Sequence, residues 1–354
     1  MKVCHVSSVH CNNDSRIFIK ECCSLSNANY DVFFVVEGDS FENNGCHIVG
    51  IGNPPSSKRK RIFSFSKKAY KKALELDCEV YHLHDPELLL YAKKLKRKGK
   101  IVIFDSHEDV SAQIMDKEWI PKILRHIVSK LFSVYQGHVL KRIDGIVAAT
   151  ETIGNLLNKY NTTVVVNNYP KFEDIKYQTN PFSNRPRIIG YAGSLDNNRG
   201  LQVVIESLKS INGTLKFASN EFIENDKIIN CGKLNRDGVN NLYKESRLGI
   251  VLYKPLANHI NAQPIKMFEY MAAGLPVVAS NFPLWRRIIE ENNCGICVNP
   301  LDSIEISNAC NKLLDNPVWS EQLGKNGYNA IVSKYNWANE EKKLLDFYKK
   351  IVSL

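Results

Sequence analysis

Short apolar runs of strand length alternate with amphipathic segments of helix length along this chain, and the alternation runs its course twice. Residues 2–8, 31–37, 47–51, 80–84, 101–104, 145–149 and 163–166 read as strands, with helices at 15–29, 64–76, 86–98, 119–141 and 150–159 between them. Strands that alternate with helices build a parallel sheet covered on both faces. Residues 167–186 carry three prolines and no clear period, and read as the connection between two domains. The pattern then restarts, with strands at 187–191, 214–218, 226–230, 248–253 and 275–279 and helices at 200–209, 239–246, 283–292, 304–315, 320–335 and 336–352. A chain of 354 residues is long enough for two such cores. The expected boundaries are 1–168, 169–335, and a C-terminal helix at 336–354 that crosses back to the first domain. In sheets of this kind, ligands sit at the carboxyl ends of the strands.

The net charge is +10 and is concentrated in the first half, at Lys58 to Arg61, Lys67, Lys68, Lys71, Lys72 and the run from Lys93 to Lys100. Solvated helix faces, nucleic acid and an anionic membrane surface all account for such an excess. No zinc finger, RNA-binding aromatic motif or helix-turn-helix pattern accompanies it, which argues against nucleic acid. No apolar run approaches the ~20 residues needed to cross a bilayer. The first residues read as a strand rather than a signal peptide. Ten cysteines in 354 residues are too dilute for a disulfide scaffold and are expected to be reduced and cytosolic. Cys294 and Cys297 form one CxxC with no second pair, so no metal is expected there.

The stretch NAQPIKMFEYMAAGLPVVAS, residues 261–280, reads as turn, helix, glycine stop and buried strand. Pro264 suits a first helical position, Gly274 suits a helix end, and Lys266 and Glu269 share one face. A helix start offers free N–H groups and a positive dipole end to a phosphate. Lys266 and Glu269 beside it would suit a diphosphate and a ribose, although an ordinary exposed Lys–Glu pair has the same spacing. Polar clusters also follow four strands: His10, Asp14 and Arg16; His84 and Asp85; Asp105 to Asp109 with His107; and Gly193 to Gly200 with Ser194 and Arg199. Asp85 and Asp109 are also placed to cap the helices that follow them. Gly193 and Gly200 flank a loop that enters a helix, with Arg199 as its charge. This is neither GxGxxG nor a Walker loop, so neither a dinucleotide oxidoreductase nor an ATPase is supported.

The segments KVCHVSSVHCNNDSRIFIKEC, YHLHDPELL, IFDSHED, IIGYAGSLDNNRGL and PIKMFEYMAAGLPVVASNFPLWRRIIEENNCGICVNP run through both halves. On these the chain resembles a GT-B fold glycosyltransferase of the family-four-like group that builds bacterial surface polysaccharides. The resemblance implies an α/β GT-B fold, two Rossmann-like domains facing each other across a deep cleft. It implies transfer of a hexosyl group from a nucleoside-diphosphate sugar, a UDP- or GDP-sugar, to a saccharide or polyprenyl-diphosphate-linked acceptor, with retention of configuration and no required cofactor or metal.

By the same resemblance, Glu269 matches the carboxylate on the ribose and Arg199 and Lys266 the basic pair on the diphosphate. Backbone N–H groups from Gln263, Ile265, Lys266 and Met267, around Pro264, add to that clamp, and base contacts fall to backbone near Gly232–Leu234. His107 matches the histidine that touches the donor sugar, with His10, Asp14, Arg16, His84 and Asp85 on the acceptor or donor-sugar side. The chain departs from the pattern at Asn261, where many relatives carry glutamate near the transferred sugar, and at Ser194, where many carry arginine. A nucleotide-sugar 2-epimerase of the same fold and a catalytically silent sugar-nucleotide-binding subunit are the competing expectations. The basic helices near Lys58–Lys72 and the amphipathic segment 119–141, with Trp119, Ile123, Ile127, Leu131 and Phe132 among cations, suit an anionic membrane. The expected location is therefore cytoplasmic and peripheral on the inner face of the membrane.

Overall fold

A computed structural model describes residues 1–117 and 120–353, so Trp119 lies outside the described residues. The chain divides into two compact units. One comprises Met1–Asn168 with Ala338–Leu354, the other Tyr169–Trp337.

The first unit holds β1 (Lys2–Val6), β2 (Asp31–Val36), β3 (Phe41–Asn43), β4 (Cys46–Gly50), β5 (Val80–Leu83), β6 (Ile101–Ser106), β7 (Gly145–Ala148) and β8 (Thr163–Val165) in the order β3-β4-β2-β1-β5-β6-β7-β8. Only β3 runs antiparallel to its neighbour. Strand order reverses between β1 and β5, so the loops after these two strands diverge and leave a crevice at their carboxyl ends. The four residues of β5 are wholly buried, as expected for a central parallel strand covered on both faces. The helix Trp337–Val352 completes this unit: Glu340 Oε2 accepts from the backbone N–H of Asn167 at 2.7 Å, and Phe347 packs so closely on Gly145 that a Cβ there would lie 2.5 Å from its ring.

The second unit holds β9 (Ile188–Ala192), β10 (Thr214–Ala218), β11 (Ile228–Asn230), β12 (Leu248–Val251), β13 (Val277–Ser280) and β14 (Gly295–Val298), all parallel, in the order β11-β10-β9-β12-β13-β14. Its reversal point lies between β9 and β12. Both units thus have the doubly wound order of a Rossmann-like domain.

Several local expectations need correction. The connection read at 167–186 is packed from residue 169 onward: Tyr169, Ile175 and Phe182 are buried in the core of the second unit. Their apolar side chains are too widely spaced to show a period, yet each finds a pocket. The basic helix begins at Lys58 rather than 64 and runs, through a wider turn, to Glu75. The strands β3 and β14 and the helices Val110–Asp116 and Ala257–Ile260 lie where no element was read, being too short to carry a period of their own. No helix among the described residues is long and apolar enough to cross a membrane.

Candidate functional site

In the second unit the helix Ile265–Ala272 points its N-terminus at the crevice beside β9 and β12. Pro264 is its N-cap rather than its first helical residue, and no side chain caps the end; Met267 N–H donates to Pro264 O at 3.1 Å, which leaves the N–H groups of Ile265 and Lys266 for a ligand. The far end closes on Gly274 at φ +74°, with Leu275 N–H donating to Tyr270 O at 2.8 Å and Gly274 N–H to Met271 O at 3.0 Å, a Schellman stop.

Lys266 and Glu269 do not pair with each other. Lys266 Nζ lies 5.1 Å from the centre of the Tyr191 ring and runs over Gly193, where a Cβ would stand 2.8 Å from the ammonium. Burial and the charge of Arg199 lower the Lys266 pKa. Two cations whose charges oppose each other in this way can meet an anion, with Asp196 beside both. Arg199 Nη1 donates to Asp196 Oδ2 at 2.8 Å, a half-exposed pair that costs little to open. Glu269 is 9% exposed; Oε1 accepts from Arg236 Nη1 at 2.9 Å and Oε2 from the Tyr243 hydroxyl at 3.3 Å. Gln263 Oε1 is buried with no donor, whereas Asn261 ends the short helix Ala257–Ile260 as an exposed residue.

The two loop glycines have different reasons. Gly193, at φ +113°, makes room for the Lys266 ammonium. Gly200, at φ +82°, makes room for backbone: a Cβ there would lie 2.3 Å from the Leu252 carbonyl oxygen. The close approach at Gly200 is thus to the protein's own backbone. Ser194 Oγ donates to Glu221 Oε1 at 2.7 Å, which ties the loop down where relatives of the expected pattern place an arginine.

In the first unit, the loops after β1, β5 and β6 bring His10, Asp14, Arg16, His84, Asp85, Asp105 and His107 together. His10 Nδ1 lies 3.1 Å from Asp14 Oδ2, its Nε2 lies 3.6 Å from Asp85 Oδ1, and its ring stands 4.8 Å from that of His107. His107 Nε2 is 2.9 Å from Asp105 Oδ2. Arg16 is buried and grips Asp105 with two hydrogen bonds of 2.9 Å, so it braces the site rather than facing it. Burial opposes ionisation of Asp105, but the Arg16 charge and the bonds to His107 and His84 hold its carboxyl well below the usual range. Burial likewise opposes charge on His10, yet the bond to Asp14 and the charges of Asp85 and Asp105 raise its pKa. His84 is buried, and burial first, then repulsion from His107 and His10, push it down to about 4. Asp85 sits at the N-cap of its helix but accepts from Ser7 Oγ at 3.0 Å and Ser8 N–H at 2.5 Å instead of capping, whereas Asp109 does cap, accepting from Ala112 N–H at 3.1 Å. His10, Asp14 and His107 are the members that retain some exposure.

Sequence reasoning missed Arg236, Tyr243, Glu221 and the bracing role of Asp105. Asp105 carried a signal, lying two residues before His107 at a strand end. The others act across 26 to 33 residues of chain and carry none.

Residues 172–330 match the family described as Glycosyl transferases group 1, and residues 20–168 match Glycosyltransferase Family 4. An uncharacterized glycosyltransferase of Methanocaldococcus jannaschii is 25% identical over 181 residues, 46% of this chain and 45% of that protein, so the match spans less than half of either. Sucrose-phosphate synthase from Thermosynechococcus elongatus superposes with a TM-score of 0.80 at 15% identity, covering 100% of this chain and 99% of that one. Anabaena HepE in complex with UDP-glucose superposes with a TM-score of 0.74 at 13% identity, covering 99% and 100%. At these identities the two structures speak to the fold.

Proposed function

The chain belongs to the GT-B glycosyltransferases of the group 1 and family 4 kind, and we propose that it transfers a hexosyl group from a nucleoside-diphosphate sugar to a saccharide or lipid-linked acceptor in polysaccharide biosynthesis. The observation that carries this reading is the Lys266–Arg199 pair at an uncapped helix N-terminus, three residues from a carboxylate held ready by Arg236 and Tyr243.

The diphosphate lies against the first N–H groups of the helix Ile265–Ala272, with Lys266 and Arg199 on its oxygens. These cations meet the negative charge that grows on the leaving nucleoside diphosphate as the glycosidic bond breaks, so no metal is called for at that position. Glu269 accepts from the ribose hydroxyls, and Arg236 fixes its rotamer. The unmet Gln263 Oε1 accepts from a donor hydroxyl. Gly232, at φ +65° with open space about its Cβ direction, leaves backbone accessible to a base. His107, oriented by Asp105, and His10, oriented by Asp14, present polar atoms to the sugars. With Asn261 in place of a carboxylate, a phosphate oxygen of the donor takes the acceptor proton, and configuration is retained. HepE, of the same fold, was crystallised with UDP-glucose, which favours a UDP-sugar.

We also read the helix Lys122–Leu140 as a membrane contact. Ile123, Ile127, Leu131 and Val134 are 86%, 55%, 65% and 67% exposed, on a helix that also carries Lys122, Arg125 and Lys130. An apolar stripe among cations matches an anionic lipid surface at the cytoplasmic face, and with it a lipid-linked acceptor. Melting the protein with a panel of UDP-, GDP-, ADP- and dTDP-sugars tests donor binding. Incubating the stabilising donor alone distinguishes transfer from 2-epimerisation, which needs no acceptor.

A further inference from the structure

Behind the half-exposed His10 and His107 the first unit holds a second constellation, which shares His84 with that site and adds His5, Glu21 and His82 to it. His5 on β1 and His82 on β5 are register partners, and His84 lies two residues on, so three imidazoles project from one face of the sheet. The helical turn Ile17–Cys22 contributes Glu21, and the helix Trp337–Val352 contributes Tyr348. His5, Glu21 and His82 are 0% exposed and His84 3%. One ligating atom from each of the four lies within 4.8 Å of the others.

The partners of these groups divide into an outer and an inner set. On the outside, His82 Nδ1 is 2.7 Å and His5 Nε2 3.5 Å from the Tyr348 hydroxyl, and His84 Nδ1 is 3.3 Å from Asp105 Oδ2. On the inside, the geometry gives His82 Nε2 and both Glu21 oxygens no well-formed hydrogen bond, although Glu21 lies 3.1 Å from Arg16 Nε as an ion pair and also interacts with Asp105. His5 Nδ1 and His84 Nε2 meet at 2.9 Å. Buried acceptors left unmade are costly. Imidazoles anchored through one nitrogen on a hydroxyl or carboxylate, with the other turned inward, have the outer-shell arrangement of metal-bound histidine.

We propose that His5, Glu21, His82 and His84 form a closed binding site for one divalent cation of the zinc type. Three nitrogens and one carboxylate oxygen are a borderline-soft, four-coordinate set suited to Zn²⁺. Zn–N bonds of about 2.0–2.1 Å put tetrahedral ligand atoms about 3.3 Å apart. The His5–His84 pair is already near this, and the wider pairs draw in by at most about 1.5 Å, the difference from the 4.8 Å limit. With the cation bound, Glu21 serves as the anionic ligand of the set. The site joins β1, β5 and the first helix, beside the Tyr348 of the returning helix. It also fixes the proton of His84 on Nδ1, toward the Asp105 that orients His107. Its role is structural and positioning, and it stands or falls independently of the donor site.

The test is metal content of the full chain expressed in zinc-supplemented medium and dialysed against metal-free buffer. Wild type is expected to retain ~1 Zn²⁺ per chain, and Glu21→Gln and His82→Gln ~0.2 or less. Protein grown with Co²⁺ instead is expected to show the visible ligand-field bands of a tetrahedral site without thiolate charge-transfer absorption. Wild type without stoichiometric metal, equal retention in wild type and both variants, or a thiolate band would overturn the assignment. If the variants do not fold, the metal content and Co²⁺ spectrum of wild type decide.

Discussion

Lys266 is held in a position that makes little sense without an anion. It is half-buried, the charge of Arg199 acts on it more strongly than that of any carboxylate, and Gly193 makes room beneath it. Lys266→Ala should therefore weaken binding of a nucleoside diphosphate by about 10–100-fold, the loss of one charge-assisted contact, and binding of the bare nucleoside by less than about twofold. Calorimetric titration with both ligands checks this, and equal losses would remove the diphosphate contact. His10 and Asp14 support a second prediction. The folded His10 pKa lies above its ordinary 6.5, so the bond to Asp14 stabilises the protein fully below pH 6.5 and is lost as pH rises through the folded value. An NMR titration should find His10 above 6.5 in wild type and lower in Asp14→Asn; an unchanged value would mean that Asp14 does not hold it. Sequence pattern made Lys266 and Glu269 legible because helical spacing alone puts them on one face. It grouped His10 and Asp14 in one polar loop but not the contact between them, which the loop's backbone creates. It concealed Arg236, 33 residues from the carboxylate it grips, because no local pattern records such a partner.

Among the elements, the loop Gly193–Gly200 and the helix Lys122–Leu140 carry the clearest consequences. At Gly200 a methyl group would meet the Leu252 carbonyl at 2.3 Å in a backbone conformation that L-residues resist. Gly200→Ala should cost about 3 kcal/mol, from the left-handed φ and the clash together. Urea unfolding checks this, and a loss below about 1 kcal/mol would mean that the loop relaxes freely. For the helix, Ile127→Asp with Leu131→Asp should lower partitioning onto vesicles of anionic lipid by about tenfold while changing stability by less than about 0.5 kcal/mol, since both side chains are exposed. Unchanged partitioning would argue against this face as a membrane contact. Long periodic elements were readable from sequence. Short polar ones were not: β3 and the helix Ala257–Ile260 hold too few apolar residues to stand out, whereas the short apolar β8 did. Exposure of the apolar stripe was unreadable too, because the same amphipathic pattern buries its apolar face when a neighbouring element covers it.

At the scale of the whole molecule, two doubly wound units each place their polar residues at the carboxyl ends of strands beside a reversal of strand order. That much followed from the alternation of apolar runs, since parallel sheets are buried on both faces and leave only loop ends free to carry chemistry. The packing of Tyr169, Ile175 and Phe182 into the core of the second unit did not follow, because three prolines mark irregular backbone whether it is packed or free. The central claim is that the second unit binds a nucleoside-diphosphate sugar through Glu269, Lys266 and Arg199, and the melting temperature of wild type and Glu269→Ala across the panel of sugar nucleotides measures it most directly. A ligand at a hundredfold excess over its Kd adds about 2.7 kcal/mol to the native state, or about 5–10 °C for a unit of this size. The account predicts that one sugar nucleotide raises the wild-type transition by that amount and leaves Glu269→Ala, folded to the same baseline, nearly unmoved. No shift with any donor, or an equal shift in both proteins, would contradict it.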